Sequence, residues 1–352
     1  MEHKMLTEMI DHLIQEDASD LHLAEDKLPI MRVSGSLIPL AKYKEISRAD
    51  IKGILDELLS QKQKEKFIDE KEVDFAYDHK GVVRLRGNAY FQLGRISVAL
   101  RLIPKKIRTM EELNLPPILE TFANKQQGFF LVVGPTGQGK STTLASLISH
   151  INTHRLEHII TIEDPIEYLF ESDKSLIEQR EIREDTPDFH TALRGVFRQD
   201  IDVLMIGEMR EPETISTAVT AAETGHLVFS TLHTNTASQT VARIIDSFVA
   251  EQQSQIRVQL SASLIGIFSQ RLIPRISGGM VPAYELLINN AAVANLIREN
   301  RVHELNSVIE TGSELGMIDL NRTLAELVKA GEITVENAYL FSQNSKGLER
   351  LL

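Results

Sequence analysis

The chain has 352 residues, 42% of them hydrophobic and 25% charged, a globular composition with room for two domains and a large core. Lys and Arg total 38 against 50 Asp and Glu, and the net charge of −12 counts against a general electrostatic grip on nucleic acid or anionic lipid. With no cysteine there is no disulfide, no thiolate nucleophile and no cysteine-type zinc site.

The N-terminal stretch carries charges throughout, so no secretory signal is visible. The longest apolar runs, FFLVV and VLMI, fall far short of the ~20 residues of a spanning helix. A cytosolic chain is expected.

Residues 4–16 place Met5, Met9, Ile10, Leu13 and Ile14 at helical spacing, which predicts an amphipathic helix. DASDLHL and IMRVSGSLIPL read as short strands, with a turn at Ser34-Gly35. SRADIKGILDELL offers Ser47 as a helix N-cap. EVDFAYDHKGVVRLRGNAYFQLGRISVALRLIP alternates in pieces with Gly at its turns, as a β-meander does. Residues 1–103 are therefore expected to form a small α+β domain. PKKIRTMEELNLPP has three prolines and a broken pattern, so 104–117 reads as a linker. Apolar strands then alternate with helices as far as HLVFSTL, the pattern of a parallel sheet covered on both faces. This predicts an α/β core over 118–289, followed by a helical, polar-faced region over 290–352.

GPTGQGKST, residues 134–142, matches G-x-x-x-x-G-K-[ST], with an apolar strand ending at Val133 and a helix beginning near Lys140. The glycines let backbone N–H groups point at phosphate oxygens, and the helix N-terminus adds positive potential. Gly134, Pro135, Thr136, Gly137, Gln138, Gly139, Lys140, Ser141 and Thr142 are the candidate nucleotide residues. Lys140 is expected to reach the β- and γ-phosphates, and Ser141 to ligate Mg²⁺ on ATP. Gln138 is unusual in such a loop. It is read as a solvated side chain, with contact to a phosphate or a neighbouring subunit as the alternative.

Three later strands end in polar residues, and ligands of open parallel sheets collect at such ends. IITIEDPIEY brings Glu163, Asp164 and Glu167; VLMIGEMRE brings Glu208 and Arg210; GHLVFSTLHT brings His226, Thr231 and His233. ATP hydrolysis needs a group that orients or deprotonates the attacking water. Glu208 is the first candidate and Glu163 the second. His233 could sense the γ-phosphate or link water to a neighbouring strand.

These blocks, in this order, resemble the secretion ATPases of type II secretion and type IV pili, and most of all their PilT-like pilus retraction branch. The resemblance covers nearly the whole chain. It rests on DASDLHL with RVSG (Asp20, His22, Arg32 and Gly35), RLRGNAY with LRLIP, the phosphate loop, TIEDPIEY, GEMREPET and TAAETGHLVFSTLHT. The last four correspond to the Walker A, aspartate, Walker B and histidine boxes. The resemblance implies a PAS-like N-terminal domain, a RecA-like ATPase core and a homo-hexamer that binds ATP between subunits. It implies Glu208 as the catalytic glutamate, Glu163 assisting at the water, and His226 and His233 near the γ-phosphate. Arg84, Arg86 and Arg101 match the arginines that complete the site. It also implies a motor at the inner face of the cytoplasmic membrane, acting on an inner-membrane pilus platform protein and meeting an assembly ATPase or other pilus-base proteins.

Assembly and type II secretion relatives usually carry a tetracysteine motif and an additional N-terminal domain. This sequence has no cysteine, and its DASDLHL block lies close to the first residue. AVANLIRE at 292–299 is close to the retraction signature AIRNLIRE but has Ala294 in place of arginine. GMIDL departs from a second branch motif, and RQDIDV has Ile201 where the family generally has proline. An accessory retraction paralogue and an assembly or type II secretion ATPase are the alternatives within the family. A nucleic-acid motor is the alternative from another class; it lacks a basic stripe interleaved with aromatics, and no nucleic-acid partner is expected.

Overall fold

Leu6, Met9, Ile10 and Leu13 share one face of helix α1 (Glu2–Gln15) and are fully buried, so the helix is held by its apolar stripe. The computed structural model describes all residues except Met1, Asp17, Ser34 and Lys105, and excludes the side chains of Glu2 and His3. The first residue of DASDLHL, the serine of the expected Ser34-Gly35 turn and one linker residue thus lie outside the described residues. The chain divides into two compact units, Met1–Lys105 and Lys106–Leu352.

In the first unit, α1 is followed by β1 (Asp20–Ala24), β2 (Ile30–Val33), β3 (Ser36–Pro39), α2 (Arg48–Leu58) and α3 (Gln61–Glu70). Then come β4 (Glu72–His79), β5 (Val83–Gln92) and β6 (Arg95–Ile103). The sheet is antiparallel in the order β3-β2-β1-β6-β5-β4. Ser47 caps α2 in a reciprocal box with Asp50, as its position in the sequence predicts. A second box, Ser60 with Gln63, starts α3, which the sequence reading omits. QKQKEKFIDE buries only Phe67, so it carries no apolar period to detect.

The second unit contains α4 (Leu119–Ala123), β7 (Gly128–Val133), α5 (Lys140–His154), β8 (His158–Glu163), β9 (Leu176–Glu181) and α6 (Phe189–Val196). It continues through β10 (Val203–Ile206), α7 (Pro212–Glu223), β11 (Leu227–Leu232), α8 (Ala237–Asp246), α9 (Ala250–Ser263), β12 (Leu264–Pro274) and β13 (Met280–Ile288). Helices α10 (Ala291–Arg298), α11 (Leu305–Thr311), α12 (Leu320–Lys329), α13 (Val335–Phe341) and α14 (Ser345–Glu349) end it. The seven strands run in the order β13-β12-β7-β11-β10-β8-β9, all parallel except β13. Phe129, Leu131 and Val133 enter the core on one face of this sheet, and Phe130 and Val132 enter the core on the other. Helices cover both faces, as continuous apolar strands require.

Several features depart from the reading of the sequence. Met110 and Leu115 of the expected linker are buried in the second unit's core. β9 is a charged edge strand, LIEQRE, without alternation. The β12–β13 hairpin and helices α8 and α9 follow the last strand recognised in the sequence. Ile201, where the family generally has proline, is buried, and Asp202 accepts a hydrogen bond from the His158 backbone N–H at 2.8 Å. In α10 the buried face is Val293, Leu296 and Ile297, so Ala294 falls outside it.

Gly87 of β5 lies under the Phe75 ring of β4, and a Cβ there would meet ring atoms at 2.1 Å. Gly87→Ala is expected to destabilise the protein by about 1–3 kcal/mol through overpacking. Thermal melting reads this, and wild-type melting would show that Phe75 repacks freely.

Candidate functional site at the phosphate loop

The turn from β7 into α5 holds the loop Gly134–Gly139, and Gly139 is the left-handed N-cap of α5. Gly134 has φ +151°, and a Cβ on it would sit 2.5 Å from the Gln270 carbonyl of β12. Only glycine fits that approach. β12 then fastens the loop from the side. Gln270 Nε2 donates to the Gln138 carbonyl at 2.8 Å, and the Leu272 N–H donates to Gln138 Oε1 at 2.8 Å. Thr143 Oγ1 donates to Gln270 Oε1 at 2.6 Å. The solvated Gln138 expected from sequence is thereby corrected: its amide oxygen is a bond to a neighbouring strand. Thr136 and Gly137 are exposed, and Pro135, Ser141 and Thr142 are half-buried. The Thr142 hydroxyl shares a 2.7 Å hydrogen bond with Tyr168.

Lys140 is buried, and its Nζ donates to the Pro135 carbonyl at 2.9 Å. The same ammonium lies 3.3 Å from Nδ1 of His233, just beyond the carboxyl end of β11. An ammonium has only donors, so Nδ1 of a neutral imidazole accepts there and the ring proton belongs on Nε2. That nitrogen faces Glu208 Oε2 at 3.5 Å. Burial, then the Lys140 charge, hold the His233 pKa below its usual value, which keeps the ring neutral at neutral pH. Burial likewise lowers the Lys140 pKa, against the opposing charges of Glu167 and Glu208. The other carboxylate oxygen of Glu208 pairs with Arg210 at 2.6 Å. Lys140, His233, Glu208 and Arg210 thus form one polar chain across the mouth of the loop.

Glu163 ends β8 and is 5% exposed. Thr161 Oγ1 donates to its Oε1 at 2.7 Å, and Gln179 Nε2 of β9 donates to the same oxygen at 3.2 Å. Burial raises its carboxyl to about 7, only partly offset by these donors. Next to it, a Cβ on Gly207 would lie 3.4 Å from the Glu163 Cα. The ends of β8 and β10 therefore close together beside Glu208. Thr231 Oγ1 donates to the Gly207 carbonyl at 2.7 Å and ties in β11.

His226 needs a correction, because it does not join this group. It precedes β11, and its carbonyl accepts from the N–H of Gly128, the first residue of β7. With about 3.3 Å per strand residue, that edge is roughly 20 Å from the His233 end. Its ring packs on Phe197 and bonds the Ala221 carbonyl. Reading GHLVFSTLHT as a single polar strand end missed that the two histidines bracket an apolar strand.

Arg84, Arg86 and Arg101 belong to the first unit. Arg86 stands opposite Arg101 in the β5–β6 register, and Arg101 stands opposite Asp20. Arg101 Nε donates to Asp20 Oδ1 at 2.8 Å, and Arg32 Nε lies 3.8 Å from Asp20 Oδ2. Arg101 and Arg32 thus share one carboxylate, whose pKa stays low despite the burial that raises it, because Ser19 and Arg101 bond to it.

Sequence reasoning missed Gln270, Tyr168 and Gln179. The signal for Gln270 was present, because Ser-Gln-Arg interrupts the apolar run LIGIFSQRLIP. Tyr168 and Gln179 carry no comparable mark.

Glu163 has a folded pKa raised above its unfolded value of 4.5. Its contribution to stability is thus fully present below about 4.5 and is lost as pH rises through about 7. Between pH 4.5 and pH 8.5 the wild-type melting temperature is expected to fall more than that of Glu163→Gln, by the equivalent of about 2–3 kcal/mol. Parallel melting curves for the two proteins would refute the assignment.

The family described as Type II/IV secretion system protein matches residues 2–279. The chain is 43% identical over 337 residues to the Pseudomonas aeruginosa type IV pilus retraction ATPase PilT, covering 95% of this chain and 96% of that one. It is 44% identical over 322 residues to a twitching motility protein of Neisseria gonorrhoeae, covering 91% of this chain and 86% of that one. A crystal structure of the pilus retraction motor PilT with bound ADP superposes with a TM-score of 0.92 at 45% identity, over 98% of both chains. No helix among the described residues is long and apolar enough to cross a membrane. The fold, the phosphate loop and these matches agree: this chain is a member of the type II/IV secretion system protein family.

Proposed function

We propose that this chain is an ATP-hydrolysing motor that powers type IV pilus retraction. It works as a homo-hexamer against an inner-membrane pilus platform protein, on the cytoplasmic side of the membrane. In this reading 1–103 is a PAS-like domain, 104–117 a connection, 118–289 a RecA-like core and 290–352 a helical C-terminal region. The six-stranded antiparallel sheet and the parallel sheet bearing a phosphate loop support it.

The observation that carries the hydrolytic reading is the Lys140–His233–Glu208 chain. Lys140 turns to the β- and γ-phosphates when ATP occupies the loop. Glu208 orients the attacking water and takes its proton, and His233 holds the carboxylate at the end nearest the γ-phosphate. Glu163, with a pKa near 7, is matched to proton exchange with that water. Among the described residues no three His, Cys, Asp or Glu side chains gather to cage a metal. That suits Mg²⁺, which such sites hold through substrate phosphates and few protein ligands, here Ser141. The bound ion would neutralise charge developing on the phosphates. Arg84, Arg86 and Arg101 are assigned to stabilising the transferring phosphoryl group.

Glu208→Gln is expected to bind ATP normally and to hydrolyse it about 10²–10⁴-fold more slowly. Wild-type turnover in this variant would remove Glu208 from the role. Deletion of the gene is expected to leave cells heavily piliated and non-motile. Bald cells would overturn the retraction assignment in favour of assembly.

A further inference from the structure

A polar cavity of about 220 Å³ opens where β13, the start of α8 and helices α11 and α12 meet. Its walls bring three carboxylates, Glu285, Glu310 and Asp319, together with the amides of Asn306, Asn321 and Gln343, and among the described residues no Lys, Arg or His lines it. Asp319 belongs to GMIDL, a motif that the hydrolytic site does not use.

Glu285 is the unusual member. It is 8% exposed, and its Oε1 accepts from the Ala237 N–H at 2.7 Å. Its Oε2 carries no hydrogen bond among the described residues, although the side chain lines the cavity. The nearby Arg271 is committed elsewhere, to the Gln270 carbonyl and to both oxygens of Asn235, and makes no ion pair with it. Burial, with Asp319 adding to it, raises the Glu285 carboxyl to about 7. The Ala237 N–H and the charge of Arg271 offset that burial only in part, so a cation entering the cavity adds attraction to the carboxylate.

The form of the cation follows from the donor set. These side chains do not converge on a point, and among the described residues no three acidic or histidine groups could hold a metal ion. Spread carboxylate and amide oxygens instead accept from a polyatomic cation with several N–H donors. We propose that this cavity binds an alkyl guanidinium or alkyl ammonium group, either the head of an arginine or lysine side chain or a free diamine-type cation.

The site is placed to influence the phosphate loop. The Asn235 carbonyl accepts from Ser269 Oγ at 2.9 Å, Arg271 Nη2 at 3.1 Å and Gln343 Nε2 at 3.2 Å. It lies two residues beyond His233. A cation that engages Gln343 therefore acts on the carbonyl that anchors the His233 segment. That consequence rests on the role proposed for His233, whereas the binding itself does not.

Calorimetric titration of the full chain at low salt tests the proposal, with acetyl-Gly-Arg-Gly-amide, agmatine and the uncharged citrulline peptide as probes. Saturable one-to-one binding of a guanidinium probe is expected, with none for the citrulline peptide. Glu285→Gln and Asp319→Asn keep side-chain volume and can keep the bonds to the Ala237 and Arg322 N–H groups. Each is expected to weaken binding about tenfold. Tighter binding of the peptide identifies a protein side chain as the source, and tighter binding of agmatine identifies a free cation. No saturable binding, equal binding of the citrulline peptide, or unchanged affinity in a double variant that melts like wild type would overturn the site. The citrulline comparison uses only the wild-type protein, so it decides the matter even if a variant fails to fold.

Discussion

Every residue of β7, β10 and β11 is buried, on both faces of the sheet. This constraint organises the rest of the second unit. A strand without a solvent face cannot carry a charged side chain along its length, because burying an unpaired charge costs far more than packing regains. Polar residues are pushed to the strand ends. The parallel register then aligns one set of ends, so that Val133, Glu163, Gly207 and His233 arrive at a common edge.

The phosphate loop at that edge depends on β12, a strand from far along the chain. Gln270 is buried, and its amide satisfies Thr143 on one side and the Gln138 carbonyl on the other, while Gln138 satisfies the backbone of Leu272. A loop that must aim N–H groups at phosphates cannot bond them to itself. Its carbonyls and side chains are therefore held from outside, which sets its shape before a ligand arrives. Such pre-organisation limits the ordering cost of binding.

Two buried carboxylates, Glu163 and Glu285, are raised to about 7 by the same cause, burial. Their surroundings give them different uses. Glu163 receives donors from Thr161 and Gln179 and sits against Gly207 beside Glu208, where a proton can be exchanged. Glu285 faces a cavity with other oxygens and one backbone donor, where a cation can be held. Proton affinity alone does not separate these roles, but the neighbouring atoms do.

The phosphate loop, the first strand and helix around it, and the acidic strand ends were legible in the sequence because they are local. Each is a short run whose period or spacing has one physical reading, and the box at Ser47 with Asp50 is of the same kind. His226 was misplaced because strand direction, not spacing along the chain, decides which end of β11 meets the nucleotide edge. α3 and β9 escaped because their exposed, charged sequences carry no apolar period. The Gln138–β12 bonds, the Lys140–His233–Glu208 chain and the cavity around Glu285 were decided by tertiary structure alone. Each joins residues tens to more than a hundred positions apart, and only the packed sheet, by fixing which strands are neighbours, brings them within bonding distance.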